Sequence, residues 1–550
     1  MVKVIIIGGG IAGLAAATFL SLNDHFQVHL YEREYSLGGQ ARSGLGEKCF
    51  IEYSWRIFGG SYANINYIIS LLGIENKFDY LKSCLIDEAQ QVSFNLNSPS
   101  LFFKILKESK SLSSCTDTLN KLLNLTCICK DRAITEYNDT NAYNYFNQNK
   151  MMQTILGPFL GMDANKVSVS GFYKNLYGTL SGKGKSKVTI LPTQQALFDP
   201  WKTFLLEHNV KISLNKELEQ IQISSNQTIQ SLRFTDGTVE RADEFIFACS
   251  LDPLVQICTH NSYLNRLPTI SKLKTLRQGL QLYFTINIYF SIQLPSTDNC
   301  SEMVIIDMPW KPIIQKKRRW GSKYTKNCRG GFHKKIKDIW NVGFLDYNEG
   351  IHIKKTLHNC SLNEAIAEGV HQVKSSKYIQ NLLQEMDTTF EDIYLGSEHW
   401  YEFKNGPDDT LISTNPKFSI NTGLASIMPT THPPDLPGNM YLAGYYVTST
   451  MGGVSMESSC ETGFLAGKMI LDKYRIENYS WKPFSHDAEY FTKFTLPLVE
   501  LDQYLYKKGL ESVTSKISPL QVWGVYLLII LFLILVIIKL TTKYCFNRES

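Results

Sequence analysis

The sequence predicts an α/β protein. It is expected to have a discontinuous Rossmann-type domain, an inserted mixed α+β domain and one C-terminal transmembrane helix. Three observations carry this prediction. The chain opens with an apolar strand, a glycine-rich turn and an Ala-rich helix, Val2 to Leu20. Strands and helices alternate again after residue 190 and near residue 440, and such alternation is typical of a parallel sheet covered by helices. An uncharged apolar run, Val522 to Ile538, lies near the C-terminus.

Length and composition limit the class of protein. A chain of 550 residues with 44% hydrophobic and 19% charged residues is an ordinary globular protein of two or three domains. The net charge of +5 is too small for a dedicated nucleic-acid binder, so we expect no nucleic-acid partner. The 12 cysteines are scattered, and no Cys/His cluster predicts a metal site.

The nucleotide-binding domain is expected to form from separated segments, with a substrate domain inserted between them. Its predicted segments are residues 1–75, 191–255 and 426–475. The substrate domain is predicted to comprise residues 76–190, with helices near 101–123 and 145–160, and residues 256–425, with a strand over 280–292. Residues 476–519 are predicted to be a linker and residues 520–540 a transmembrane helix.

The first glycine loop has the pattern of a dinucleotide-binding turn. Gly8 permits the tight turn, Gly10 lets a phosphate approach the backbone, and Gly13 lets the helix pack closely on the strand. The first residues of that helix, Ile11 and Ala12, offer unpaired N–H groups to a pyrophosphate. A second strand ends at Glu32, at the separation from the loop that suits hydrogen bonds from ribose hydroxyls. The pattern therefore predicts a dinucleotide site that disfavours NADP.

A second glycine pair follows Glu32 and narrows the choice of dinucleotide. In Leu37 to Ser43, Gly39 and Gln40 bring backbone near the cofactor, and Arg42 is expected to neutralise pyrophosphate charge. This arrangement resembles the GGxxR doublet of the flavin amine oxidase and phytoene desaturase superfamily. The loop Phe58 to Asn64 is similar to the flavin-proximal loop of that superfamily, which implies contacts from Gly60 and Ser61.

The resemblance extends over about residues 1–475. Leu218 stands where the family has a backbone contact to adenine, and Asn439 to Gly467 is similar to the C-terminal flavin signature of the family. The signature implies cofactor contacts from Gly444, Tyr445, Ser455 and Met456. Further motifs, residues 307–311 and 415–418, look closest to the desaturase and hydroxysqualene-dehydroxylase branch.

Two positions depart from the family pattern. The family usually has an acid after its Leu-Ala-Gly motif, where this chain has Tyr445. Monoamine oxidases commonly have an aromatic residue before the Met-Glu pair, where this chain has Ser455. The second departure weakens the prediction of an amine oxidase.

The resemblance implies a non-covalently bound FAD and a hydride transfer from a substrate C–H bond to flavin. An apolar substrate, an isoprenoid or another lipid, is the first hypothesis. An amine oxidase and a non-catalytic flavin-binding interaction protein are the alternatives. Four residues are candidates for the substrate pocket, and none is assigned a catalytic role: Tyr53, Trp55, Arg56 and His399. The sequence leaves the electron acceptor open.

The C-terminal apolar run predicts a membrane anchor. At a rise of ~1.5 Å per residue, Val522 to Ile538 spans roughly 26 Å, close to the hydrocarbon core of a bilayer. We therefore expect a lipid bilayer as a partner and a single-pass C-terminal anchor that holds the catalytic body in the cytosol. A basic segment, residues 316–337, has ten Lys and Arg residues and no acid. It is predicted to be either a solvated insertion loop or a patch that contacts anionic lipid.

Overall fold

The computed structural model describes thirteen ranges and two single residues. These are residues 1–46, 50–54, 56–81, 83–87, 90–94, 112–146, 165–180, 185–295, 302–317, 335–344, 348–451, 455–476 and 489–515, with 521 and 524.

A five-stranded parallel sheet, called the nucleotide sheet, forms the first layer. Its strand order is Met440–Leu442, Glu244–Phe247, Val2–Ile7, Phe26–Tyr31 and Lys211–Ser213, and all four neighbouring pairs are parallel. Val2–Ile7 lies in the centre, and its last four residues are buried. A central parallel strand is covered on both faces, which is why its sequence is continuously apolar rather than alternating. Strands from chain segments far apart in sequence therefore share one sheet.

Two helices pack against each other on one face of this sheet. In the first, Ile11–Ser21, every residue except Ser21 is buried. The second is Met456–Lys473, and small residues allow the two backbones to approach closely. A Cβ atom on Gly463 would lie 2.1 Å from the carbonyl oxygen of Ala12. In the same helix pair, the rings of Phe19 and Phe464 meet edge to face at 5.9 Å.

A seven-stranded sheet, called the large sheet, forms the core of the second region. Its strand order is Tyr394–His399, Thr285–Phe290, Asp338–Gly343, Ile313–Lys316, Glu302–Ile305, Ser83–Asp87 and Gln90–Phe94. All pairs are antiparallel except the one between Glu302–Ile305 and Ser83–Asp87.

The single strand predicted over residues 280–292 is two strands in the structure. Leu280–Gln281 pairs with Lys417–Phe418 in a separate ribbon, whereas Thr285–Phe290 belongs to the large sheet. All six residues of Thr285–Phe290 are buried. The strand Thr285–Phe290 is therefore covered on both faces.

The remaining strands form short antiparallel ribbons. The Asp236-Gly237 turn joins Ile229–Phe234 to Val239–Glu240, with Gly237 at φ +82°. The other ribbon strands are Leu218–Ile223, which pairs with Ile229–Phe234, and the pairs Ser43–Leu45 with Phe50–Glu52, Phe78–Tyr80 with Lys187–Thr189, and Phe403–Asn405 with Leu411–Ser413.

Most of the other α-helices within the described ranges occupy the connections between strands, and the last one follows the final strand. They are Ala63–Leu71, Leu112–Cys127, Lys130–Thr135, Ala142–Tyr145, Val169–Leu180, Asp199–Glu207, Leu251–Thr259, Pro268–Leu276, Leu362–Ser375, Lys377–Glu385, Phe390–Ile393 and Glu489–Lys507. A π-helix, Gln194–Phe198, precedes Asp199–Glu207. Of the two helices predicted near 101–123 and 145–160, residues 101–111 and 147–164 lie outside the described residues.

The segment predicted to be a linker, residues 476–519, contains the helix Glu489–Lys507. This helix is fastened to the preceding helical region by a buried ion pair. Arg132 Nε lies 3.0 Å from Asp502 Oδ1, and both side chains are only 3% exposed. Asp502 also accepts a hydrogen bond from the backbone N–H of Cys129 at 2.8 Å.

The predicted transmembrane helix is contradicted. In the part of the chain that the structure describes, no helix has both the length and the apolar character needed to cross a membrane. The helix Glu489–Lys507 is long enough, but it carries charged side chains and contains Pro497. The run from Val522 to Ile538 lies, except for Gly524, outside the described residues. The predicted fold class is corrected to an α/β fold with a Rossmann-like domain. The predicted localisation through a single-pass anchor is corrected with it.

The basic segment 316–337 is described only at its two ends. Lys316 and Lys317 are both buried, and the Lys316 ammonium lies 5.1 Å above the ring of Trp340. Lys316 ends the strand Ile313–Lys316 and Lys317 follows it directly, so neither lysine belongs to a solvated patch. Residues 318–334 lie outside the described residues.

Candidate functional site

A long cavity opens at the carboxyl edge of the nucleotide sheet and encloses about 270 Å³. In open α/β sheets ligands bind at this edge. Thirteen of the predicted cofactor residues line it: Gly8, Gly10, Ile11, Ala12, Glu32, Gly39, Gln40, Arg42, Leu218, Gly444, Tyr445, Ser455 and Met456. Gly13, Gly60 and Ser61 are not among the lining residues.

The first glycine loop owes its shape to contacts that no larger residue permits. Gly8 has φ +110°, and a Cβ atom there would lie 2.7 Å from the carbonyl oxygen of Ala248. A Cβ atom on Gly13 would lie 1.9 Å from the carbonyl oxygen of Gly8. Gly13 therefore lets the helix Ile11–Ser21 start directly behind the loop, as the spacing predicted. The helix N-terminus then faces the cavity, where its unpaired N–H groups favour an anion.

Glu32 closes one end of the cavity, called the nucleotide end. Its Oε2 accepts a hydrogen bond from the backbone N–H of Gly9 at 2.6 Å, and its Oε1 accepts one from Glu34 N–H at 2.9 Å. Burial raises the pKa of the Glu32 carboxyl group above its ordinary value, and the two N–H donors oppose that rise. The carboxylate is thus held in one orientation, with acceptor capacity left for sugar hydroxyls.

The second glycine pair lies directly against the first loop. Gly38 donates its N–H to the carbonyl oxygen of Gly9 at 2.8 Å. Gly39 has φ +52°, and a Cβ atom on it would lie 3.1 Å from Gly10 Cα. Side chains at these positions would block the cleft between the two loops, which is the path that a pyrophosphate needs.

Arg42 occupies a different environment from the one its predicted role requires. One terminal nitrogen, Nη2, lies 3.1 Å from Glu34 and 3.4 Å from Glu402, and it also contacts the Tyr401 hydroxyl. The guanidinium lies over the ring of Trp400 at 5.6 Å. Two carboxylates therefore already offset its charge, although the residue borders the cavity. Its role against a pyrophosphate stays a prediction, and the structure adds a second role in joining distant segments.

The loop Phe58 to Asn64 lies behind the cavity wall. Ser61 is buried, and Tyr62 rather than Gly60 or Ser61 reaches the lining. Leu218, at the start of its strand, borders the nucleotide end beside Lys216 and Glu217.

The far end of the cavity meets the start of the helix Met456–Lys473. Ser455 is the N-cap, and its hydroxyl oxygen accepts from the backbone N–H of Ser458 at 2.9 Å. Met456 borders the cavity with the N–H groups of the first turn. Tyr445 also lies here; its hydroxyl accepts from Leu251 N–H at 3.4 Å, and burial raises its pKa to about 12. The phenol is therefore neutral and available as a donor.

Of the four predicted substrate-pocket residues, the structure brings one to the cavity. Arg56 lines it, whereas Tyr53 lies behind it and donates its hydroxyl to Asn415 O at 2.6 Å. His399 is at the end of a large-sheet strand and does not line the cavity. Trp55 lies outside the described residues.

Two residues of the motif 415–418, Asn415 and Lys417, line the cavity, and the sequence did not predict this position for them. Asn415 Oδ1 accepts from Gln40 Nε2 at 2.9 Å, which links the second glycine loop to the inserted domain. Lys417 follows two residues later and also borders the cavity. Asn415 and Lys417 lie two positions apart in the motif of residues 415–418, which was the signal available in the sequence. The pairing of Lys417–Phe418 with Leu280–Gln281 brings this motif to the cavity.

These features fit an extended dinucleotide. An acid stands at one end, two glycine loops and a helix start face the middle, and a second helix start faces the far end. The fold and the cavity together are those expected of a dinucleotide-binding protein, with a second region built on the large sheet.

Comparisons with known proteins agree with this class. Residues 6–70 match the family model described as NAD(P)-binding Rossmann-like domain. The 15-cis-phytoene desaturase of an Oncidium hybrid cultivar is 21% identical over 281 residues, which are 46% of this chain and 47% of that protein. The chain spans about half the length of the curated relatives it matches, since the Arabidopsis thaliana desaturase is covered over 55%.

Solved structures show the same fold. Putrescine oxidase bound to putrescine matches with a TM-score of 0.60 at 13% identity, over 86% of this chain and 99% of that one. The CLA-producing fatty acid isomerase of P. acnes matches with a TM-score of 0.52 at 14% identity, also over 86% and 99%. The chain is thus similar to 15-cis-phytoene desaturases over part of its sequence, and it shares its fold with putrescine oxidase and the fatty acid isomerase.

Proposed function

We propose that this protein is an FAD-dependent oxidoreductase that transfers hydride from a C–H bond of an apolar, lipid-like substrate to flavin. One observation carries the proposal. A single cavity runs from Glu32, at the nucleotide end, to the helix start at Met456, where strand Lys417–Phe418 of the inserted domain forms part of the wall. That cavity would hold a dinucleotide between Glu32 at one end and the helix start at Met456 at the other.

The chain's own residues position the cofactor and polarise its reacting end. Flavin supplies the hydride acceptor when it is bound. Glu32 would hold the ribose, and the facing glycine loops would leave room for the pyrophosphate. The N-terminus of the helix Met456–Lys473 would stabilise negative charge at the far end of the cavity.

An apolar substrate is preferred for two reasons. The curated relatives that the chain matches are phytoene desaturases. In addition, Ser455 stands where an aromatic residue would cage an amine. Putrescine oxidase shares the fold at 13% identity, which carries no argument about substrate.

An anaerobic reduction screen tests the proposal. The FAD-loaded protein is mixed with a lipid extract or with a set of amines, and the visible flavin absorption is followed. Bleaching by lipids but not by amines is the expected result. Bleaching by amines alone would instead show an amine oxidase, and no bleaching by either would favour a non-catalytic flavin-binding protein. A purified protein that takes up no FAD would refute all three functions.

A further inference from the structure

Charge is distributed unevenly along the cavity. The acidic residues that line it are Glu32, Glu34 and Glu217, and all of them lie at the nucleotide end. The far end is bordered by Ser54, Asn415 and Met456. The charged residues that line it, within the described ranges, are two cations and no acid: Arg56 and Lys417.

Arg56 is compensated within the protein. Its Nε lies 3.8 Å from Glu52 Oε2, and the Glu52 carboxylate is fully buried behind the cavity wall. The guanidinium also donates to Ser54 Oγ at 2.5 Å and to the carbonyl oxygen of Gln40. Arg56 is therefore tied to the second glycine loop and its charge is offset by one carboxylate.

Lys417 has no such compensation among the described residues. Its Nζ donates to Ser54 Oγ at 2.8 Å and lies 3.9 Å from the ring centroid of Tyr283 and 5.5 Å from that of Tyr53. A hydroxyl group and two aromatic faces solvate an ammonium group only in part. An ammonium group that is removed from water without a carboxylate is costly, and a bound oxyanion lowers that cost.

We propose that Lys417 binds an anionic oxygen group, a carboxylate or a phosphate, carried by the lipid-like substrate. The inference rests on the proposed function and specifies the substrate class for the same cavity. The aromatic faces of Tyr53 and Tyr283 leave the ammonium open on the side of the cavity, and Ser54 sets its position. An alkylammonium group would meet Lys417 and Arg56 with like charge, so the same geometry disfavours amines.

Proton uptake on ligand binding tests the inference without any catalytic turnover. Burial and the nearby Arg56 charge lower the pKa of Lys417 well below its ordinary value. The titratable and charged groups around it are Arg56, with its partner Glu52, and the phenols of Tyr53 and Tyr283. A bound oxyanion stabilises the ammonium and raises the pKa of Lys417 towards its ordinary value. Binding above the lowered pKa therefore takes up a proton, and affinity falls as the pH rises.

The experiment compares four ligands that differ only in the head group: decanoate, decyl phosphate, decan-1-ol and decylamine. Each is titrated into the FAD-loaded protein, and binding is followed by the perturbation of the flavin spectrum and by calorimetry in two buffers of different ionisation enthalpy. We expect at least one of the two anions to bind about 10-fold or more tighter than the alcohol and the amine, with proton uptake, since a close charge pair contributes more than one hydrogen bond. The stronger of the two anions identifies the head group.

Matched variants assign the effect to one side chain. Lys417→Met removes the charge and keeps much of the volume, and it should abolish the preference for anions and the proton uptake. Lys417→Arg should keep the preference. Lys404→Met, on an exposed ribbon strand, is the control and should behave as the wild type.

Equal or tighter binding of decylamine by the wild-type protein would overturn the inference, and this outcome needs no variant to fold. It would also be overturned if Lys417→Met altered the flavin spectrum but kept the preference for anions, because Lys417 would then act on the cofactor alone. Failure of the proposed function is recognised separately, by the absence of FAD or of anaerobic bleaching.

Discussion

The carboxylate of Glu457 caps the helix that begins beside Asn64. Its Oε1 accepts hydrogen bonds from the backbone N–H and the side-chain amide of Asn64, both at 2.8 Å, and its Oε2 accepts from Ile65 N–H at 3.0 Å. Glu457 itself lies in the first turn of the helix Met456–Lys473. One fully buried acid therefore fastens together the starts of two helices, and one of these helix starts faces the cavity.

Removing this cap should destabilise the protein strongly. Glu457→Ala leaves two N–H groups of Ala63–Leu71 buried without acceptors, and we expect a loss of about 3 kcal/mol in the free energy of unfolding. Denaturant unfolding measures the loss. Asp472→Asn, which breaks an exposed ion pair with Lys468 on the same helix, should cost less than about 0.5 kcal/mol. Similar values for the two variants would contradict the assigned role of Glu457.

Gly13→Ala should prevent the first loop from forming. The added Cβ would lie 1.9 Å from the carbonyl oxygen of Gly8, and backbone atoms cannot yield as a flexible side chain does. We expect a loss of about 3 kcal/mol in stability and of FAD retention during purification. Gly438→Ala, where nothing lies within 4 Å of the added atom, is the matched control. Normal FAD content in Gly13→Ala would show that the helix need not start directly behind the loop.

The ionised carboxylate of Glu32 should lower the stability of the FAD-free protein and raise its affinity for FAD. Because burial raises the pKa of Glu32, the folded state binds the proton more tightly than the unfolded state. The stability contribution of this group is therefore fully present below the unfolded pKa and is lost as the pH rises through the folded pKa. Glu32→Gln removes this titration, so the stability of the FAD-free variant should depend less on pH between acid and neutral conditions. Its single amide oxygen can accept from only one of the two N–H donors, Gly9 and Glu34, so some stability should be lost at acid pH.

The affinity of the same variant for FAD should fall. The introduced amide replaces a charged acceptor with a neutral one, so about 10-fold to 100-fold weaker binding is expected from the loss of charge-assisted hydrogen bonds to ribose. Fluorescence titration of the FAD-free protein with FAD measures this. Unchanged affinity would remove Glu32 from the binding site, whatever its effect on stability.

Arg42 and Glu402 should be energetically coupled. Burial raises the pKa of Glu402, and the Arg42 charge opposes that rise. Arg42→Met leaves the acid unpaired, and we expect a loss of about 3 kcal/mol. Adding Glu402→Gln should recover part of this loss. A double-mutant cycle by denaturant unfolding should give a coupling of about 1 kcal/mol or more, and additive effects would show that Glu34 alone balances Arg42.

Local sequence was sufficient for the part of the site that is built from local structure. The glycine spacing from Gly8 to Gly13 and the acid at Glu32 each follow from backbone geometry within a few residues, whereas the cap at Ser455 was found only in the structure. Such patterns can be read from sequence because the steric demand of a turn or a helix start is fixed locally.

The membrane-spanning helix was predicted from composition alone, and no described helix meets that requirement.

Only the tertiary structure decided the environment of the charged side chains. Arg42 meets Glu402 across 360 positions of the chain, and Lys417 meets Ser54 across 363. No periodicity encodes such contacts, because they depend on how the inserted sheet and its short ribbons pack against the glycine loops. The sequence alone therefore determined the nucleotide-binding class. The distribution of charge at the far end of the cavity, and with it the proposed substrate class, depends on long-range packing, because electrostatic interaction energies follow distance and burial rather than order along the chain.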